Sequence, residues 1–253
     1  MTLLEGRGLH IRIGEHQVCR DAHLRIHSGQ CWGLLGRNGS GKTTLLRALA
    51  GLHPLEEGEI RLEESPLRSL PRRAIARRLG LLLQEDAFPF PVTVEEAVLT
   101  GRHPHLPPLG WESAKDRRIA HDALAAVRMT GFAQRLTSTL SGGERRRVAI
   151  ATLLAQAPIL MLLDEPTNHL DLDQQIRILT LLRERIGKQG AIVMSLHDIN
   201  LALRFCDGLI LLDKEGLTTG PVMELGTPGR LAAVYGHPLA ALDGPRGPVL
   251  IPE

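Results

Sequence analysis

The sequence predicts an α/β fold in which helices cover both faces of a parallel β-sheet. The first observation is a set of short apolar runs that end abruptly in glycine or a polar residue, at 31–35, 79–83, 159–163 and 191–196. Runs that are apolar throughout are typical of strands buried on both faces. The second observation is that helical stretches, such as 42–50 and 173–186, separate these runs. Strands that alternate with helices favour a parallel sheet.

Each predicted strand is followed by a residue with a special chemical or conformational property. The four runs lead to Gly36, to Gln84, to Asp164 with Glu165, and to His197. Ligands of open parallel sheets bind at the carboxyl ends of the strands. The sequence therefore predicts one site that is built from four loops.

Two segments depart from this alternation. Residues 1–30 alternate weakly between apolar and polar, which predicts antiparallel strands. Residues 88–150 show no clear buried strand and become helical after a proline-rich start, which predicts an inserted helical subdomain. We expect a single domain, with a core formed by 1–87 and 151–253.

The composition excludes several classes of protein. The chain has 253 residues, 43% of them hydrophobic, and a formal net charge of +2. These values argue against global disorder and give no reason to expect nucleic acid as a partner. An odd number of cysteines without a C-x-x-C pattern argues against a disulfide framework or a structural zinc site. No signal peptide or membrane-spanning run is evident, so a membrane role requires a partner.

A glycine-rich loop predicts a phosphate-binding site. The pattern G-x-x-x-x-G-K-[ST] follows a predicted strand and opens a predicted helix. Its backbone N–H groups point at phosphate oxygens, and the helix start adds a positive dipole end. The lysine neutralises the β- and γ-phosphates, and the threonine hydroxyl is offered to Mg²⁺. The candidate residues are Gly36, Arg37, Asn38, Gly39, Ser40, Gly41, Lys42, Thr43 and the following Thr44.

Two adjacent carboxylates complete a candidate hydrolytic centre. Asp164 and Glu165 follow the predicted strand at 159–163. An acidic residue at a strand end holds Mg²⁺ in many phosphoryl-transfer enzymes, and a neighbouring carboxylate can polarise water. We assign Asp164 as the metal ligand and Glu165 as the general base.

A second anion-binding helix start lies about 100 residues after the phosphate loop. Ser141 and Glu144 have the spacing of a capping box, and Gly142 and Gly143 leave backbone N–H groups exposed. The phosphate loop already supplies its own helix to the ligand. The second helix start therefore predicts a contact across a dimer.

These motifs together resemble the ATP-binding cassette family, the nucleotide-binding subunits of ABC transporters. The resemblance spans about residues 3 to 236 and places six motifs in family order. They are the Walker A loop at 36–43, Gln84, the signature LSGGE at 140–144, Walker B ending at 164–165, the D-loop at 168–171 with Asp171, and the switch histidine His197.

The resemblance implies a P-loop NTPase core of the RecA-like type, with a β subdomain and a helical subdomain. It also implies ATP and Mg²⁺ as cofactors and a head-to-tail homodimer that holds two ATP molecules. Each ATP lies between the phosphate loop of one subunit and the signature of the other. Catalysis is assigned to Lys42, Glu165, His197 and Gln84. Gln84 senses Mg²⁺ and reports to a membrane permease.

The segment after Gln84 is similar to importers of haem, ferric siderophores and cobalamin. Its markers are a T-V-x-E-x-V stretch and a G-R-x-P-H segment, and Phe88 and Phe90 favour haem slightly. The resemblance implies a peripheral subunit on the cytoplasmic face of the inner membrane. About residues 85–105 contact the permease, and an external substrate-binding protein acts indirectly. The cargo stays open among the three classes.

One position departs from the family pattern. Family members place an aromatic residue about 25 residues before the phosphate loop, where it stacks on adenine. Ile13 occupies this position, so aliphatic packing, His10 or His16 must take the place of the stacking ring.

Other assignments remain to be weighed against the importer. An exporter or lipid-extraction ATPase shares the motifs but not the G-R-x-P-H segment. Cassette proteins that act on ribosomes or DNA usually carry two cassettes or a long coiled coil, and this chain has neither. His103 and His105 flank a proline and do not make a complete metal or haem site.

Overall fold

The strands and helices alternate through most of the chain in a computed structural model, which describes residues 1–84, 91–244 and 247–253. The strands are β1 (Thr2–Ile13), β2 (His16–His27), β3 (Cys31–Gly36), β4 (Glu57–Leu62), β5 (Ser65–Pro66), β6 (Leu79–Leu82), β7 (Leu160–Leu163), β8 (Ala191–Ser195), β9 (Gly208–Asp213), β10 (Gly216–Pro221), β11 (Leu239–Gly244) and β12 (Gly247–Pro252). The helices are α1 (Lys42–Leu49), α2 (Arg72–Ala76), α3 (Val94–Leu99), α4 (Ala114–Ala126), α5 (Gly142–Gln156), α6 (Leu172–Ile186), α7 (Ile199–Phe205), α8 (Val222–Leu225) and α9 (Pro228–Tyr235). Within these ranges, no helix combines the length and the apolar character that crossing a membrane requires.

The central sheet has six strands in the order β10-β9-β3-β8-β7-β6. Strands β9, β3, β8, β7 and β6 are parallel, and β10 is an antiparallel edge strand. The four predicted runs are four of these strands, which confirms the α/β prediction. Strands β9 and β10 were not predicted, although the apolar run in β9 carries the same signal as the others.

The predicted antiparallel strands at the N-terminus are present. β1 and β2 belong to a four-stranded sheet of order β2-β1-β4-β5. Leu9 and Ile11 of β1 are fully buried in one core cluster with Leu45 and Leu49 of α1. The antiparallel sheet therefore packs against the helix that follows the phosphate loop.

A helical region lies between β6 and β7. Helices α3, α4 and α5 share a second buried cluster, which includes Val98, Leu124 and Val148. Helix α5 runs without interruption to Gln156. The division of the chain at 88 and 150 stays a prediction.

A buried ion pair joins α4 to the end of α5. Arg102 donates to Asp116 Oδ1 at 3.0 Å and to the carbonyl of Ala155 at 2.7 Å. Ser113 caps α4 and donates its hydroxyl to Asp116 Oδ2 at 2.6 Å. The hydrogen bonds from Ser113 and Arg102 lower the pKa of Asp116 from 3.8 to about 2. The ionised form of Asp116 is therefore favoured in the folded protein.

The C-terminal segment forms a hairpin that is fixed to α7. Strands β11 and β12 pair antiparallel. The side chain of Asn200 donates to the carbonyl of Leu250 at 3.0 Å and accepts from its N–H at 2.9 Å. Leu250 is buried against the same core. The hairpin is therefore an ordered part of the fold near the helix that follows His197.

We expect Asp116→Asn to destabilise the protein at neutral pH and to matter less in acid. The folded-state pKa lies below the ordinary value, so the carboxylate contributes stability above about pH 4 and loses it as the pH falls towards 2. Urea unfolding at pH 6 and at pH 3.5 measures the difference between variant and wild type. Asp122→Asn, at an exposed position on the same helix, is the control. A difference that is independent of pH would contradict this account.

Candidate functional site

The four predicted loops meet at one cavity of about 420 Å³ at the carboxyl ends of the parallel strands. Lys42, Thr43, Gln84, Glu165 and His197 all line it. The structure thus brings together residues that are up to 184 positions apart along the chain, counted from Ile13 to His197. The other lining residues are Ile13, Asn38, Gly39, Gly41 and Thr44.

The phosphate loop connects β3 directly to α1. Gly39 and Gly41 have φ angles of 80° and 99°, which favour glycine. A Cβ at Gly41 would also lie 2.7 Å from Val18. No side chain caps the first turn of α1. Its first backbone N–H groups are therefore available to an anion at the cavity.

Lys42 extends back over the phosphate loop. Its Nζ donates to the carbonyls of Gly36 at 2.8 Å and Arg37 at 3.1 Å. Burial lowers the pKa of Lys42, and the carboxylates of Glu165 and Asp164 partly oppose this shift. A bound phosphate would act in the same direction as the carboxylates and favour the charged form.

Asp164 accepts hydrogen bonds on both carboxylate oxygens. Thr43 donates to Oδ2 at 2.5 Å, and Ser195 donates to Oδ1 at 2.6 Å. Asp164 is 1% exposed. The Thr43 hydroxyl and the Asp164 carboxylate supply hard oxygen ligands side by side, and Gln84 lines the cavity together with Thr43. This donor set fits Mg²⁺, which is bound by few protein oxygens together with substrate phosphates.

Glu165 is held at both ends of its carboxylate. His197 Nε2 lies 2.5 Å from Oε1, and Asn168 donates to Oε2 at 2.6 Å. The backbone of Glu165 has a φ of 50°, an uncommon value for a residue with a side chain. Strained backbone of this kind concentrates at functional sites. The contact from Asn168 was not predicted from the sequence.

A buried arginine connects the signature helix to the hydrolytic loop. Arg146 lies on α5 and has no solvent exposure. Its guanidinium donates to the carbonyls of Leu83 and Glu165, both at 2.7 Å, of Pro166 at 3.3 Å, and of Asp164. The role of this residue was not predicted, because three arginines follow one another at 145–147. Only the helical spacing of the buried positions on α5 shows that Arg146, rather than its two neighbours, points into the core.

The signature segment begins α5 as the sequence predicts. Ser141 Oγ accepts from Glu144 N at 3.3 Å, and Glu144 Oε2 accepts from Ser141 N at 2.8 Å. The bond from Ser141 N lowers the pKa of Glu144. A Cβ at Gly142 would lie 3.4 Å from His169 of the D-loop. Among the described residues, 141–144 are not part of the cavity lining.

The remaining candidates lie at or beyond the rim of the cavity. Ile13 is half exposed, and His16 lines a neighbouring cavity of about 630 Å³ next to Arg37 and Ser40. His10 lies 3.8 Å from Glu57 and belongs to neither described lining.

The other predicted contacts lie away from the cavity. Asp171 caps α6 by accepting from Gln174 N at 2.8 Å. His103 and His105 contact Glu112 and the carbonyl of Gln156. Phe88 and Phe90 lie outside the described residues.

Known proteins resemble the chain over most of its length. A family model described as ABC transporter matches residues 19–168. The hemin import ATP-binding protein HmuV of Streptomyces coelicolor is 38% identical over 251 residues, which is 99% of this chain and 89% of that protein. The petrobactin import ATP-binding protein FpuD of Bacillus anthracis is 40% identical over 88% of this chain and 82% of its own length. The cobalamin import ATP-binding protein BtuD of Halobacterium salinarum is 36% identical over 92% of this chain and 58% of its own length.

Solved structures share the fold. A metal-chelate type ABC transporter in an inward-facing conformation matches with a TM-score of 0.85 and 27% identity, over 100% of this chain and 97% of that one. A dimeric ATP-binding cassette bound to ADP and phosphate matches with a TM-score of 0.74 and 27% identity, over 87% of this chain and 99% of that one. These matches confirm the predicted fold.

We expect Ile13→Tyr to tighten nucleotide binding about 3- to 10-fold, because a ring at the rim can stack on adenine where an aliphatic side chain cannot. Titration with a fluorescent ATP analogue measures the affinity. Met223→Tyr, at an exposed position on α8, is the control. An unchanged affinity would contradict stacking of adenine at residue 13. The affinity of His16→Ala would then test whether adenine binds in the neighbouring cavity.

Proposed function

We propose that this chain, which belongs to the ABC transporter family, is the ATP-hydrolysing subunit of an importer for an iron chelate or cobalamin. The observation that carries the proposal is the cavity that the phosphate loop lines together with Glu165 and His197, with Asp164 bonded to Thr43 of that loop. Such a cavity can bind a nucleotide triphosphate and activate water beside its last phosphate. The named activities of the relatives supply the transport role.

The chain binds the phosphates through backbone N–H groups and one lysine. The loop between Gly36 and Lys42 exposes these N–H groups at the start of α1. When phosphate oxygens arrive, Lys42 exchanges its two carbonyl partners for them. Because Gly39 and Gly41 already hold the left-handed backbone conformation of the loop, we expect little reorganisation of the loop backbone.

Thr43, Asp164 and Gln84 are the residues that would hold Mg²⁺. The ion supplies neutralisation of the charge on the β- and γ-phosphates. Thr43 keeps its hydroxyl beside Asp164 through the bond to Oδ2, so a lone pair of that hydroxyl is left for a metal. Asp164 is fixed in turn by Ser195.

Glu165 orients or deprotonates the attacking water. In the structure its two oxygens are taken by His197 and Asn168. Each carboxylate oxygen keeps a further lone pair that can accept from the attacking water. His197, released from Glu165, can donate to the γ-phosphate. We assign the resting pair Glu165–His197 to the state before the site is assembled.

The signature segment completes the site of a second subunit. Residues 141–144 begin a capped helix whose N–H groups favour an anion, and they do not line the cavity of their own chain. A head-to-tail homodimer gives this helix start a phosphate to bind. The dimeric cassette with bound ADP and phosphate supports this arrangement.

A membrane permease is the second partner. Of the proposed contact at about 85–105, the described part is braced on two sides. Arg73 and Arg77 both donate to the carbonyl of Pro104, at 2.9 and 2.7 Å, while Arg102 and His105 contact carbonyls at the end of α5. A braced segment suits a contact that transmits force. The chain is then a peripheral subunit at the cytoplasmic face of the inner membrane, without nucleic acid as a partner.

The permease and an external substrate-binding protein select the cargo. The relatives are named for hemin, petrobactin and cobalamin, and their identities to this chain differ little. The slight preference for haem rests on Phe88 and Phe90, which lie outside the described residues. The proposal therefore covers all three cargo classes.

We expect Glu165→Gln to bind ATP but to lose about 100-fold or more of the turnover, because the amide cannot take a proton from water. The trapped variant is expected to dimerise with ATP in size-exclusion chromatography with light scattering. Adding Ser141→Arg should abolish this dimer while leaving nucleotide binding intact. Hydrolysis by Glu165→Gln within about threefold of wild type would overturn the assignment of the general base. A dimer that survives Ser141→Arg would overturn the contact in trans.

The transport role is tested by recovering the tagged protein from gently solubilised native membranes. We expect a polytopic permease in a 1:1 ratio, identified by mass spectrometry. The tag alone, expressed in the same cells, is the control. Recovery of ribosomal or DNA-repair proteins without a permease would contradict the importer and leave only the ATPase chemistry.

A further inference from the structure

Ser195 lies at the end of β8, two residues before His197. Its side chain has no solvent exposure. Its hydroxyl has two partners that belong to consecutive residues on the neighbouring strand end. It contacts the N–H of Glu165 at 2.8 Å and Oδ1 of Asp164 at 2.6 Å. One side chain therefore touches both residues of the hydrolytic pair.

The direction of these two bonds follows from the available protons. A backbone N–H can only donate, so the hydroxyl oxygen must accept from Glu165. A hydroxyl has one proton, and that proton is left for the carboxylate of Asp164. Ser195 thus acts as an acceptor towards one residue and a donor towards the next. Neither alanine nor valine can perform either role.

The bond to Asp164 fixes the plane of its carboxylate. Thr43 holds Oδ2 from the first turn of α1, and Ser195 holds Oδ1 from β8. With only one of these bonds, the carboxylate could rotate about its last single bond. With both, its orientation towards the phosphate loop is set before any ligand arrives.

The bond to Glu165 holds an unusual backbone. Glu165 has a φ of 50°, and its N–H is buried just beyond the end of β7. Without Ser195 this N–H would have no acceptor in the described structure, and a more relaxed backbone would become favourable. Such a relaxation would redirect the carboxylate away from His197, which it contacts at 2.5 Å.

We infer that Ser195 is a positioning residue that keeps the metal carboxylate of Asp164 and the hydrolytic carboxylate of Glu165 in a fixed mutual orientation. It acts through these residues and does not contact the nucleotide. The inference rests on the proposed ATPase function. Metal binding by Asp164 and water activation by Glu165 both depend on the Ser195 hydroxyl, so loss of this hydroxyl weakens both together.

The test compares Ser195→Ala with Ser195→Thr, which keeps a hydroxyl. Thr152→Val is the matched control, because its hydroxyl bonds the carbonyls of Val148 in its own helix and Ala97 in α3, away from the cavity. For each variant, a fluorescent ATP analogue is titrated in EDTA and then at increasing Mg²⁺. Steady-state hydrolysis gives kcat, KM for ATP and the Mg²⁺ concentration at half-maximal rate. Thermal unfolding shows that each variant is folded.

We expect Ser195→Ala to bind nucleotide as the wild type does in EDTA. The Mg²⁺ needed for tight binding and for half-maximal rate should rise about 10-fold, with a fall of similar size in kcat and little change in KM. Ser195→Thr should recover most of both losses, and Thr152→Val should behave as wild type.

Unchanged Mg²⁺ dependence in a folded Ser195→Ala would overturn the inference. An equal loss of nucleotide binding with and without metal would also overturn it, because that result indicates general damage to the loop. Failure of the wild type to hydrolyse ATP would instead contradict the proposed function. Binding of Mg²⁺ and nucleotide can still be measured in that case, so the two failures are distinguishable.

Discussion

The conformation of the hydrolytic loop, residues 164–166, depends on one buried guanidinium group. Arg146 donates to the carbonyl of Leu83, which precedes Gln84, and to the carbonyls of residues 164–166. These carbonyls lie where β6 and β7 end and cannot pair within the sheet. The carbonyl of Glu165 also accepts from Asn168 N at 3.1 Å, whereas each of the others would cost about 1–3 kcal/mol if it were buried without a donor. Because Arg146 belongs to α5, the loop keeps its shape only while the signature helix stays in place.

The strands and the phosphate loop could be predicted because their signals are local. An apolar run shows a buried strand, and glycine spacing shows a phosphate loop, without knowledge of distant contacts. Strand β9 carries the same local signal and was nevertheless missed. Strand β9 ends at Asp213, which belongs to none of the recognised motifs. The C-terminal hairpin depends on Asn200, a contact 50 residues away along the chain.

The residues of the candidate site also fall into those with a local sequence signal and those that depend on distant contacts. Its lining residues follow from motifs, whereas the residues that orient them do not. Ser195 occupies a buried strand position that is expected to be apolar, and Asn168 was recognised as part of the D-loop but not as a partner of Glu165. Both act through single hydrogen bonds whose partners are known only once the strands are placed side by side. Motifs therefore predict which residues take part in the chemistry of the site. The residues that orient them can be identified only from the folded structure.

The bracing of 100–105 has a mechanical consequence. On one side the segment is fixed to α2, which leads through β6 to Gln84 and so to the nucleotide of its own chain. On the other side it is fixed to the end of α5, whose opposite end is the signature helix start. In a head-to-tail dimer that start serves the other nucleotide. If the permease binds this segment, as we propose, a force applied there reaches both ATP sites of the proposed dimer together.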